Sequence, residues 1–155
     1  MVHSKWLKAV ATLGIATTCS VGTVASASPG EGVSAETFVT ADNLEDVNIN
    51  HDRVKLQTKG VTNVRVQKLI FAPGARTGWH HHPGTVVVAV QSGSVTLVDA
   101  DCSTKTYGPG LPNGSVFVEG HDHAHEARST SGATVYATYV TEAGFRVEDP
   151  AQTCS

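Results

Sequence analysis

The sequence predicts an all-β fold, a sandwich or a barrel, and three observations carry that prediction. Valine (22), threonine (18) and isoleucine (3) far outnumber the seven leucines and one methionine among 155 residues. Side chains branched at Cβ are stiff at χ1, which suits a pleated strand and disfavours a helix. Fifteen glycines are spread along the chain, and short alternating runs are separated by glycine and proline turns, as in small antiparallel barrels. No stretch carries an amphipathic helical period. The length is that of one domain.

Met1 to Ala27 reads as a cleavable secretory signal peptide, so the mature protein is expected to be secreted. Lys5 and Lys8 give the positive start, residues 9–16 the apolar run, and Ala25-Ser26-Ala27 the small residues a signal peptidase needs. The apolar run is too short to span a bilayer, so no membrane association is expected of the mature form. The residues before Cys19 lack the lipidation pattern, and the segment has no arginine for a twin-arginine signal. Cleavage leaves 128 residues and, with Lys5 and Lys8 gone, moves the formal charge from −3 to −5. That balance offers no basic stripe, so no nucleic-acid partner is expected. Cys102 and Cys154 remain. They either form a disulfide tying the tail to a mid-chain loop, or stay as thiols or bridge between chains.

In the mature chain, residues 28–46 form an N-terminal arm, read as loose chain or an edge strand. The main domain is expected over 47–147, with a C-terminal tail at 148–155. Val54 to Gln57 is a first strand, stopped by Lys59-Gly60. Val64 to Phe71 is the next, closed by the Ala72-Pro73-Gly74 turn. Thr85 to Val90 and Val95 to Val98 flank a hairpin turn at Gln91-Ser92-Gly93-Ser94, and Val116 to Val118 and Thr134 to Val140 complete the set.

Histidine is where function is sought. Six of the eight lie in two groups, His80-His81-His82 and His121, His123 and His125. On a strand His80 and His82 face the same way and His81 the other. Two imidazoles on one face can approach a single ion, with the third ligand supplied by the second group. Imidazole serves zinc, copper, iron, nickel and manganese, so the residue type does not select the metal.

The spacing around both groups resembles the cupins. Gly74, five residues, His80-His81-His82, three residues, Val86, six residues and Gly93 is similar to their first motif, except that Val86 stands where the family has a glutamate ligand. Gly114, five residues, Gly120-His121-Asp122, two residues, His125, three residues and Ser129 is similar to the second. There Gly120, Asp122 and Ser129 replace proline, glycine and asparagine. The resemblance covers about Val54 to Val140. It implies a cupin double-stranded β-helix, a jelly-roll-like barrel, with a divalent metal at its mouth held by His80, His82 and His125. It also implies a small-molecule ligand or substrate, and pairing of barrels into a homodimer through their outer faces.

Without the glutamate, three neutral imidazoles would leave the full charge of the ion to acidify bound water and attract anions. Val86 is expected to face inward with Val88 and Val90. His123 is either an alternative ligand or acid–base group, or is turned outward by the preceding turn. Trp79 either walls the pocket or packs plainly. Tyr136 and Tyr139 are three apart, so only one enters the barrel, and Tyr139 is the pocket candidate. Arg76 and Arg128 flank the two groups and either receive a carboxylate or stay solvated. Glu126 alternates away from His125 and is expected outside. His81 and His121 are expected at the surface or beside the ligands, and His51 at the surface.

Two function classes follow from the resemblance. One is a secreted metalloenzyme, a small-molecule dioxygenase or lyase. The other is a non-catalytic module that binds a small ligand or a metal, with a purely fold-stabilising metal as a third reading. Neither a Gly-x-Ser-x-Gly elbow nor a phosphate-cradling glycine loop is present, which removes serine hydrolases and nucleotide binders.

Overall fold

The structure, a computed structural model, describes residues 30–120 and 122–154. The expected signal peptide and His121 lie outside the described residues. The chain forms β1 (Glu31–Leu44), β2 (Asn48–His51), β3 (Val54–Gln57), β4 (Thr62–Arg76), β5 (His80–His81) and β6 (Gly84–Gly93). It continues with β7 (Val95–Asp99), β8 (Thr104–Tyr107), β9 (Val116–Glu119), β10 (His125–Ser129), β11 (Ala133–Thr141) and β12 (Val147–Glu148). There is no helix among the described residues, and none long and apolar enough to cross a membrane.

Ten strands form one antiparallel sheet that folds over on itself, and β2 and β3 make a separate hairpin. One layer runs β1-β4-β11-β6-β9 and the other β8-β7-β10-β5-β12. The long β4 joins them, pairing with β1 and β11 along its length and with β10 at Ala75 and Arg76. Period-two alternation makes the interior. β11 reads buried at every second residue, and β6 buries Val86, Val88 and Val90 while Thr85, Val87 and Ala89 face out. With Phe71, Leu97 and Phe117 these residues form the core. Each fully buried Val or Phe contributes roughly 1.5–3 kcal/mol.

The 28–46 segment, read as loose chain or an edge strand, contains a 14-residue edge strand, β1, laid along β4. Two local expectations are corrected. Residues 91–94 do not turn a hairpin, because β6 pairs with β11 and β9 while β7 pairs with β10 and β8. Ala72-Pro73-Gly74 does not end its strand: β4 runs to Arg76, with pairing shifted between Glu31↔Arg76 and Val33↔Phe71. The extra residues are absorbed as a bulge, and Gly74 takes φ 79°, open to glycine at no steric cost. Gly93 has a stricter role. It sits at φ 72°, and a Cβ there would lie 2.1 Å from the Gly132 carbonyl oxygen, which only glycine permits.

Cys102 and Cys154 form a disulfide across 52 residues. A loop of that length removes about 4 kcal/mol of chain entropy from the unfolded state on the loop-closure account. Cys154→Ser is therefore expected to lower the unfolding free energy by about 2–4 kcal/mol in denaturant titration. A change below roughly 0.5 kcal/mol would contradict the tie.

Candidate metal centre

Strand pairing brings the histidines together. β5 and β10 are antiparallel neighbours with His80 directly opposite His125, and His82 follows His80 by two residues on the same face. All three are buried, and one ring nitrogen of each lies within 4.8 Å of the others. The ring centroids are 4.4 Å apart for His80 and His125, 4.8 Å for His80 and His82, and 5.3 Å for His82 and His125.

Each ring is oriented from behind. His80 Nδ1 donates to the Gly78 carbonyl at 2.8 Å, His82 Nδ1 to Phe145 at 2.5 Å and His125 Nδ1 to His123 at 2.7 Å. A carbonyl can only accept, so the proton of each neutral ring sits on Nδ1 and the Nε2 lone pair is left for the interior. Backbone carbonyls behind imidazoles are the usual way a ligand set is fixed in tautomer and direction.

A fourth group completes the site, and the sequence reading missed it. Glu119, at the end of β9 and 7% exposed, places Oε2 3.1 Å from His82 Nε2 and Oε1 3.4 Å from His125 Nε2. His125 Nε2 has no hydrogen-bond partner. The reason for Glu119's position is register. Tyr139 on β11, Val86 on β6 and Glu119 on β9 are successive cross-strand partners in one inward row. The signal was present in Val116-Phe117-Val118-Glu119, whose alternation puts Phe117 and Glu119 on one face.

The charges follow from this packing. Burial, helped by the Arg146 charge and by His125, holds His80 down to about 3, so it is neutral at physiological pH. For His125 burial pushes the same way, but the Glu119 carboxylate outweighs it and the net shift is upward. Burial would raise Glu119, yet the facing His125 and His82 rings hold it at about 2. Burial, with the Glu119 charge beside it, pushes the Tyr139 phenol up to about 12, so it keeps its proton.

The donor set therefore fits a cation. Neutral imidazole lone pairs and a carboxylate face one another in a buried space, and that arrangement is repulsive unless a proton or a metal ion lies among them. Three imidazole nitrogens and one carboxylate oxygen are good ligands for zinc, iron, manganese, nickel or copper.

The centre opens on a cavity of about 400 Å³. His80, His82, Glu119 and Tyr139 are among its lining residues, as are the apolar Leu69 and Phe71. Other candidates fall elsewhere. Trp79 is buried but does not line the cavity. His123 is exposed, following Asp122 at φ 56°, and only its carbonyl serves the site. His81 faces away and binds Asp149 at 2.8 Å. Tyr136 stacks on Phe38 on the outside, and His51 is exposed. Arg76 is exposed and contacts Glu31. Glu126 does face away from His125, but the expectation that it lies outside is wrong. It is 1% exposed and held by Arg128.

No protein-family model matches the sequence, and no curated protein matches it. Solved structures do. A cupin-2 domain protein of Rhodospirillum rubrum superposes with a TM-score of 0.54 at 10% identity, over 80% of this chain and 68% of that one. The fold is that of the cupins. A salicylate 1,2-dioxygenase of Pseudoaminobacter salicylatoxidans, solved with gentisate, gives a TM-score of 0.47 at 15% identity, over 69% of this chain and 24% of that one.

Within the cupin barrel the departure at Val86 acquires a physical meaning. Val86 is fully buried and occupies its strand position as expected, but its register partner on the adjacent strand is Glu119. Neighbouring strands are about 4.8 Å apart, within reach of a glutamate side chain. The three-histidine set that the motif implied is present, and a carboxylate one strand over stands beside two of its members.

Proposed function

We propose that this protein is a secreted metallo-cupin that holds one divalent ion with His80, His82, His125 and Glu119 and receives a small molecule in the adjoining cavity. The observation that carries the reading is the set of three Nδ1–carbonyl hydrogen bonds, which leaves three Nε2 lone pairs among rings that converge, with the Glu119 carboxylate beside two of them. A bound metal would supply Lewis acidity toward an oxygen of the small molecule, or a site for dioxygen. The reaction class we favour is therefore oxygenation or lyase chemistry on a small oxygenated compound.

The chain's own residues set the conditions for that chemistry. Val86, Val88 and Phe117 keep the interior around the site apolar. Tyr139 stays a phenol and stands near His82, with ring centroids 5.4 Å apart, able to donate a proton or hydrogen bond into the cavity. Export rests on the Met1 to Ala27 segment and suits the Cys102–Cys154 disulfide, since such bonds persist in oxidising compartments.

The test is thermal unfolding of chelator-stripped protein with and without added divalent metal. An ion present at 100 times its dissociation constant stabilises the folded state by about 2.7 kcal/mol. For a chain of this size that is a rise of roughly 5–15 °C in Tm. No shift with zinc, manganese, iron, nickel or copper would defeat the reading.

A further inference from the structure

The geometry points to Arg65 as the anchor for a carboxylate, which makes the small molecule an organic acid with an apolar body. This rests on the reading of the cavity as a small-molecule site. Two arginines line that cavity, Arg65 and Arg146, and they are in different states. Arg146 already has a carboxylate partner: its Nε and Nη2 bind Glu148 at 2.6 and 3.0 Å, and Nη2 also donates to the Thr77 carbonyl at 2.6 Å. Arg65 meets no carboxylate among the described residues. Its Nε donates to Thr40 Oγ1 at 3.2 Å and its guanidinium lies 3.6 Å from the centre of the Phe145 ring.

These contacts orient Arg65 without consuming its charge. Stacking on Phe145 fixes the plane, the Thr40 bond fixes the rotation, and the terminal nitrogens remain as a planar fork suited to a carboxylate. Register places it well. Arg65 is the β4 partner of Tyr139, which is the β11 partner of Val86, which is the β6 partner of Glu119. A single inward row therefore runs from the cation to the metal-centre carboxylate. The next row offers Gln67, Ala137, Val88 and Phe117 in the same register, and the small Ala137 leaves space there. A ligand can thus reach the metal centre with one polar end, Arg65 with a carboxylate, and rest its body on Val88 and Phe117.

The test uses benzoate and its uncharged isostere benzamide as probes, with binding measured by ligand-observed NMR on metal-loaded wild type, Arg65→Gln and Arg65→Lys. Wild type is expected to prefer benzoate by about tenfold or more, the scale of one charge-assisted bidentate contact. Arg65→Gln is expected to lose that preference while keeping its metal, and Arg65→Lys, with the charge but without the fork, to keep part of it. Equal binding of both probes by wild type, no binding of either, or full preference surviving in Arg65→Gln would overturn the assignment. So would loss of metal or of fold in Arg65→Gln with the preference intact in Arg65→Lys at wild-type strength, which would make the fork irrelevant. If wild type holds no metal yet shows an Arg65-dependent preference, the anchor stands and the metal reading fails.

Discussion

Replacing His82 with alanine is expected to abolish retention of a divalent metal while the barrel remains folded. His82 supplies one of three imidazoles that converge within 4.8 Å, and its loss leaves no protein donor on its side of the site, so the remaining two nitrogens and carboxylate are expected to hold an ion too weakly to keep it through purification. The substitution also strands Glu119, which would face His125 alone. Leaving a buried polar group with fewer partners costs about 1–3 kcal/mol, so part of the effect will appear as lower stability. His82→Gln separates the two. Its amide can still donate to Glu119 in the metal-free protein but is a poor ligand, so it is expected to melt near stripped wild type and to bind no metal. Equal metal content in wild type and both variants would remove His82 from the ligand set.

The second large effect concerns Glu119. Glu119→Gln is expected to weaken metal binding by roughly 10–100-fold, the scale seen when a partner of a ligand set is lost. The same change relieves the metal-free protein. A neutral amide can donate to the lone pair of His82 or His125, where the carboxylate needs a proton or an ion between. With the carboxylate gone the facing rings can stay neutral, so no uncompensated charge is left buried. Stripped Glu119→Gln is therefore expected to melt no lower than stripped wild type, and metal-saturated Glu119→Gln to gain much less on loading. A variant that binds metal as tightly as wild type would show that Glu119 is a bystander.

The difference between His82 and Glu119 shows what the sequence could reveal. The motif spacing and the two-residue alternation in His80-His81-His82 placed His80, His82 and His125 at one site without any knowledge of strand order. The same alternation showed the inner faces of β6 and β11, because each is long enough to display a period. Glu119 needed more. Its face was legible in Val116-Phe117-Val118-Glu119, but its place beside the histidines depends on β9 lying next to β6 in the register Val86↔Glu119. That pairing joins residues more than thirty apart, and no local pattern encodes it.

Other gaps have similar causes. β5 and β12 are two residues each, too short for any periodicity, yet β12 packs the tail against the histidine strand. Phe145, three residues before the tail, holds His82 through its carbonyl, a backbone role that residue identity does not announce. His123 fell from the ligand candidates because Asp122 turns the chain at φ 56° just before it, so the strand begins at His125. Arg65 was overlooked because Arg76 and Arg128 are closer to the histidines in sequence, whereas the cavity is closed by β4 from across the barrel.

The most direct test of the metal centre is elemental analysis of protein purified without an affinity tag, wild type beside His82→Gln. The account predicts about one equivalent of a single divalent metal per wild-type chain and none above background in the variant. A metal-free wild type that also fails to take up any divalent ion on reconstitution, or a variant as fully loaded as wild type, would contradict it.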